Sequence, residues 1–167
     1  VCSSDLDRYQ FVEEMVTHFK SESVSILAWC LMDNHVHLLV RGDLCAISKS
    51  MQSSLSSYAR YFNARYDRVG HLFQGRFKSE PVNSEEYLLN VVRYIHQNPE
   101  EAGIAPMESY RWSSFGEYAG VNGAVKASDT SLVLDAFGSR ESFFSFHCVG
   151  EGDACLSEDD TRGQAAM

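Results

Sequence analysis

The stretch that decides the fold runs Val24-Ser25-Ile26-Leu27-Ala28-Trp29-Cys30-Leu31-Met32-Asp33-Asn34-His35-Val36-His37-Leu38-Leu39-Val40. Val24–Met32 is rich in β-branched and aromatic residues, Asp33-Asn34 is a turn-forming pair, and His35–Val40 is a second extended segment. Together they predict a β-hairpin. Side chains alternate along a strand, so His35 and His37 project from one face and Val36 and Leu38 from the other. Two imidazoles close together on a rigid strand suit a divalent metal ion, and they equally suit a pair of hydrogen-bonded core histidines.

Upstream of the hairpin, Phe11, Val12, Met15 and Phe19 recur at helical spacing from Asp7 onward, which predicts an amphipathic helix ending near Ser21–Ser23. Downstream, Ile47, Met51, Leu55, Tyr58 and Phe62 form the apolar stripe of a long helix from Cys45 to Asn63, with Lys49, Gln52, Ser56 and Arg60 on its other face. Alternation over His71–Lys78 predicts a further strand closed by Pro81. Asn83 followed by Glu86 has the spacing of a capping box, and Tyr87, Leu88, Val91 and Ile95 give a third helix an apolar arc that Pro99 stops at Asn98. Tyr110-Arg-Trp-Ser-Ser reads as a turn into a short helix. Ser131–Phe137 and Glu141–Phe146 read as two more helices, and the acidic stretch from Gly150 reads as a flexible tail.

Within the third helix Tyr94 and Asn98 are one turn apart on one face, beside the arc that meets the sheet. A tyrosine there could attack phosphorus while an amide oxygen completes a metal shell. Equally, the pair could be a core tyrosine and an asparagine ending a helix before proline.

The chain has 167 residues, with 14 Lys and Arg against 23 Asp and Glu, a net charge of −9, and 44 % apolar residues. This suits one folded domain and disfavours disorder or a disulfide miniprotein. The charge is unevenly spread: residues 1–40 carry −4, residues 41–78 carry +5 and residues 79–167 carry −10. The one basic segment holds Arg60, Arg65, Arg68, Arg76 and Lys78. Five cysteines (Cys2, Cys30, Cys45, Cys148, Cys155) without a Cys-x-x-Cys pair suggest buried free thiols in a reducing cytosol. No apolar run approaches the roughly 18 residues of a spanning helix. Val1–Leu6 also matches the in-frame translation of a common sequencing-adapter end, so residues 1–6 are expected to be foreign to the domain.

Four ordered motifs carry a resemblance: Ala28-Trp-Cys-Leu-Met-Asp-Asn-His-Val-His-Leu-Leu, Gly70-His-Leu-Phe-Gln-Gly-Arg-Phe-Lys, Tyr87-Leu-Leu-Asn-Val-Val-Arg-Tyr-Ile-His-Gln-Asn-Pro and Tyr110-Arg-Trp-Ser-Ser. Over about Asp7 to Gly120 the chain resembles the IS200-like single-tyrosine HUH transposases, specifically the REP-associated tyrosine transposase branch. The resemblance implies an α+β fold: a ferredoxin-like antiparallel sheet with helices on one face, here lacking its first strand, plus a helical C-terminal extension. By that division residues 7–120 are the transposase domain, 121–149 the extension and 150–167 the tail. It also implies a cytoplasmic, nucleoid-associated endonuclease and strand transferase that acts on single-stranded DNA beside hairpins, through a 5′-phosphotyrosine.

Carried over by position, Tyr94 is the nucleophile, and His35, His37 and Asn98 hold Mg2+ or Mn2+. Arg60, Arg65, Arg68, Arg76 and Lys78 fall to phosphate contacts, with Phe73 or Tyr61 to stack a base; a solvated charged face is the plainer reading of those cations. The branch implies a monomer. Two departures stand out. Asp33 occupies a position that is usually proline, and the relatives' opening strand has no counterpart ahead of the first helix. A catalytically inactive hairpin-binding module is the second reading of the same motifs, and a small cytosolic domain without a DNA role the third.

Overall fold

The computed structural model describes residues 4–148. Cys2, Cys155 and the expected tail lie outside the described residues. The elements are α1 (Asp5–Ser21), β1 (Ser25–Leu31), β2 (Val36–Arg41), α2 (Leu44–Arg65), α3 (Glu85–Glu101), a 3-10 turn at Met107–Ser109, α4 (Phe115–Ala119), α5 (Ser131–Phe137) and α6 (Arg140–Cys148). This is the α+β class with helices at the C-terminal end.

Helix α1 starts two residues before the expected Asp7, because Ser4 is a working N-cap whose Oγ accepts from the Asp7 backbone N–H. The helix thus begins inside the stretch expected to be foreign. Phe11, Val12, Met15 and Phe19 are its buried stripe. In α2 the capping residue is Asp43, accepting from the backbone N–H of Cys45 and Ala46. Met51, Tyr58 and Phe62 are buried as expected, while Ser50 and Ser54 replace Ile47 and Leu55 on the deepest line. Their hydroxyls donate to Ala46 O and Ser50 O at 2.8 Å, which satisfies them where α2 meets α1.

A second polar contact locks the two helices. The fully buried Asp7 carboxylate accepts from Tyr66 Oη at 2.7 Å and Ser4 Oγ at 2.9 Å, with Arg65 Nε at 3.5 Å. Burial pushes this carboxyl upward, but the Tyr66 and Ser4 hydrogen bonds and the Arg65 charge outweigh it and hold it below the usual range.

The hairpin forms as expected, β1 and β2 being antiparallel with Cys30 opposite His37 and an irregularity between Ile26 and Ala28. Ile26–Leu31 are all buried. Pairing with β2 occupies one edge of β1, and the Tyr110–Tyr118 segment covers the other. Leu31 N–H donates to Trp112 O at 2.8 Å and Ser114 N–H to Trp29 O at 2.9 Å. Tyr110 Oη donates to Leu31 O and Tyr118 Oη to Leu27 O. The sequence motif read as a turn therefore also satisfies a sheet edge.

Four expectations are corrected. Residues 71–78 are not a strand: Gly70 and Gly75 adopt φ of 101° and 78°, interrupting the extended run, and among the described residues no strand pairs with it. Helix α3 is capped by Ser84 rather than Asn83, Ser84 Oγ accepting from Tyr87 N–H at 3.1 Å. It also continues past Pro99 to Glu101, since proline in a last turn forfeits only one intrahelical bond, and Ala102 N–H still reaches Asn98 O at 3.0 Å. Of the described cysteines, only Cys30 is buried, its thiol pushed up to about 12 by burial; Cys45 and Cys148 are free but exposed.

Candidate functional site

The hairpin turn and α3 meet at one point. His35, just ahead of β2, and His37, within it, project together as alternation requires, with ring centroids 4.7 Å apart and planes at 86°. Their Nε2 atoms are 2.9 Å apart. His35 Nδ1 lies 2.7 Å from Asn34 Oδ1. An amide oxygen only accepts, so His35 carries its proton on Nδ1 and turns an Nε2 lone pair toward His37. Burial lowers the pKa of His35, and burial with the neighbouring ring lowers that of His37 to about 4. Both are neutral at pH 7, the form that ligates a metal.

Helix α3 brings Tyr94 to this pair. Its ring stands edge-on to His37, with centroids 5.7 Å apart and planes at 89°. Asn98, one turn on and largely buried, donates from Nδ2 to Tyr94 O at 2.7 Å, so its side chain is tied to the backbone of its own helix. Among the described residues no three His, Cys, Asp or Glu side chains gather into a metal-binding group. Asp33 of the turn pairs with Arg8 of α1, which anchors the hairpin end to the first helix.

The proposed DNA contacts are dispersed. Arg60 is exposed on α2 and bonds Ser57 Oγ at 3.0 Å. Arg65 is engaged with Asp7, and Arg68 lies over the Phe62 ring with its guanidinium carbon 5.8 Å from the centroid. Lys78 is exposed. Phe73 and Arg76 line a groove of about 820 Å3 between α2 and residues 70–77, together with Lys49 and Gln52. Half-buried Phe73 also packs toward Tyr58, at 6.2 Å, as does Tyr61, at 5.9 Å. None of His35, His37 and Tyr94 lines that groove.

The sequence reading missed a buried histidine pair behind Tyr94. His96 Nδ1 is 3.0 Å from His147 Nε2, and His96 Nε2 is 2.8 Å from Ser114 Oγ. His147 Nδ1 faces the Phe143 carbonyl at 2.8 Å. With both rings neutral, proton bookkeeping orders the chain, the Ser114 hydroxyl having Trp29 O at 3.2 Å as a second acceptor. His147 donates from Nδ1 to the carbonyl, so its Nε2 accepts from His96 Nδ1–H, and His96 Nε2 accepts from Ser114 Oγ–H. Ser114 Oγ in turn accepts from Trp29 N–H at 3.0 Å, in the middle of β1. Burial holds His96 well below its ordinary pKa and lowers His147 to about 4, as this all-neutral chain requires. The available signal was spacing, since His96 is i+4 from the fully buried Val92 and His147 is i+4 from Phe143.

A family model described as "Transposase IS200 like" matches residues 4–98, which span α1, the hairpin, α2 and α3 as far as Asn98. No curated protein and no solved structure matches. The described residues contain no helix long and apolar enough to cross a membrane. With more than half of its length matched by that family, the chain belongs to the IS200-like transposases.

Proposed function

We propose that this transposase cuts and rejoins single-stranded DNA beside hairpins through Tyr94, as a single-tyrosine HUH enzyme of the REP-associated branch. The observation that carries the reading is the contact of the Tyr94 ring with His37, whose own Nε2 meets that of His35. A tyrosine whose ring touches one of two paired, neutral imidazoles combines a candidate nucleophile with candidate metal ligands, the parts a metal-assisted phosphodiester transesterase uses.

In the first step the Tyr94 oxygen attacks phosphorus. The Oη–P bond forms, the P–O3′ bond breaks, the phenol loses its proton and the leaving 3′ oxygen gains one. The product is a 5′-phosphotyrosine and a free 3′-hydroxyl. In the second step a 3′-hydroxyl attacks the same phosphorus, and the tyrosine leaves and recovers its proton. Bond energy is kept throughout, so no nucleotide cofactor is needed.

His35, His37 and Asn98 are the side chains that would hold Mg2+ or Mn2+. The two Nε2 atoms lie 2.9 Å apart on neutral rings, so one ion could draw both nitrogens as ligands in place of their mutual contact. The Asn34 contact to His35 Nδ1 is the outer hydrogen bond that ligating histidines use. Bound there, the ion supplies Lewis-acid charge to the non-bridging oxygens. Arg60, Arg68, Arg76 and Lys78 are the candidate phosphate contacts, and Phe73 the candidate base-stacking ring.

Labelled single-stranded hairpin DNA with Mn2+ is expected to give a protein–DNA adduct that survives denaturation and disappears in Tyr94→Phe. An adduct of undiminished yield in that variant would sink the assignment. Salt-dependent binding without cleavage under any divalent metal would support a binding module instead.

A further inference from the structure

We infer that α6 is a brace that sets where α3 aims Tyr94, and that His147 and Phe146 are positioning residues for that tyrosine. At 100° per residue, α3 presents three faces about 120° apart. Val92, Ile95 and Pro99 form the core face, and all three are buried. Tyr94 and Asn98 form the site face. Arg93, His96 and Gln97 form the third, and all three bond to α6. Arg93 lies over the Phe146 ring, its guanidinium carbon 4.5 Å from the centroid, and its Nη1 donates to Phe146 O at 3.4 Å. His96 Nδ1 donates to His147 Nε2, and Gln97 Nε2 donates to His147 O at 3.4 Å.

These three contacts span the same two turns that carry Tyr94 and Asn98. The core face consists of smooth aliphatic side chains, which resist separation of the helix from the sheet but do little to resist its turning. Directional hydrogen bonds on the third face do resist it. The His147–His96–Ser114–Trp29 chain ties that face through to β1, the strand paired with the one that holds His37. Side-chain ends stand about 5–6 Å or more from a helix axis. A turn of only about 10° therefore moves the Tyr94 hydroxyl by about 1 Å, enough to cost on the order of a hundredfold in rate. The brace lies outside the residues matched by the family model.

The kinetic consequence rests on Tyr94 being the nucleophile, whereas the geometric one does not, so two readouts separate them. In full-length protein, the nuclear Overhauser effect between the His37 and Tyr94 rings reports the aim of α3 without any reaction. It is expected to be lost or reduced at least threefold in His147→Ala, to return in His147→Gln, whose amide oxygen can accept from His96, and to leave the His35–His37 effect in place. Single-turnover adduct formation at saturating Mn2+ is expected to slow ten- to hundredfold in His147→Ala, with DNA affinity within twofold of the parent. Phe146→Ala, at a half-buried position, carries the same two measurements should His147→Ala not fold.

An unchanged His37–Tyr94 effect in a folded variant overturns the brace. So does an adduct yield that falls while its rate constant holds, because that is loss of folded protein rather than of aim. If the parent forms no adduct at all, the nucleophile reading fails and the ring-to-ring measurement alone decides the brace.

Discussion

Mild acid should destabilise this protein through His147, and the size of the effect follows from its surroundings. His147 is buried, with Arg93 and the His96 ring as its titratable and charged neighbours, and it already donates from Nδ1 to Phe143 O. A second proton would sit on Nε2 and face the His96 N–H head-on. Its folded pKa is about 4, against an ordinary value of 6.5. The unfolded chain therefore binds the proton first, and stability is fully present above about pH 6.5 and is lost as pH falls toward about 4. At pH 5.5 the unfolded state holds about 0.9 more proton at this site, a slope of about 1.2 kcal/mol per pH unit. Between pH 7 and pH 5 this site's share of the loss is about 2 kcal/mol, or about 4–8 °C in Tm at this size, and His96, His37 and His35, which burial also holds below their ordinary pKa, add to it in the same window. Asp7 and Asp129, held below the usual carboxylate range, act in a lower window, because their unfolded forms take up protons only near pH 4. Urea unfolding at pH 7, 6 and 5 measures the slope. His147→Leu should lower stability at pH 7 by leaving His96 Nδ1–H without an acceptor, and should flatten the slope by about one proton. A parent stability that is level from pH 7 to 5, or a variant that keeps the parent slope, refutes the reasoning.

Other perturbations probe other parts of the structure. Asp7→Ala should cost about 2–4 kcal/mol in urea unfolding, since it removes the buried acceptor of Tyr66 and Ser4 and the partner of Arg65. Tyr118→Phe should cost about 1–2 kcal/mol, because Leu27 O at the covered edge of β1 loses its donor inside the core. In a thermal melt, Mn2+ at ten times its Kd should stabilise the parent by about 1.4 kcal/mol, and His35→Ala or His37→Ala should abolish the shift; a full shift in either variant would remove the histidines from the metal site.

Features coded by neighbouring residues were legible in the sequence. The hairpin could be read from a turn pair between two β-rich runs, α2 from its stripe, α4 from the Tyr110-Arg-Trp-Ser-Ser turn ahead of it, and α5 and α6 as the two short helices after it. Features that depend on distant partners were not. Alternation over residues 71–78 looks like a strand, but a strand also needs a neighbour to bond, and Gly75 breaks the run. Pro99 reads as a stop until its place in the last turn is known. Tyr94 and His37 could be named separately, but their ring contact needed the packing of α3 on the hairpin. The His96–His147 bond, 51 residues apart, left no local trace beyond one histidine on each buried helical face.

Peptide mapping of the protein–DNA adduct by mass spectrometry tests the central claim most directly. After nuclease and protease digestion, the residual 5′-phosphate is expected on the peptide holding Tyr94, and the released strand should end in a 3′-hydroxyl that a polymerase extends. A phosphate on Tyr61, Tyr66 or Tyr87 instead, or a released strand ending in 3′-phosphate, would contradict the account.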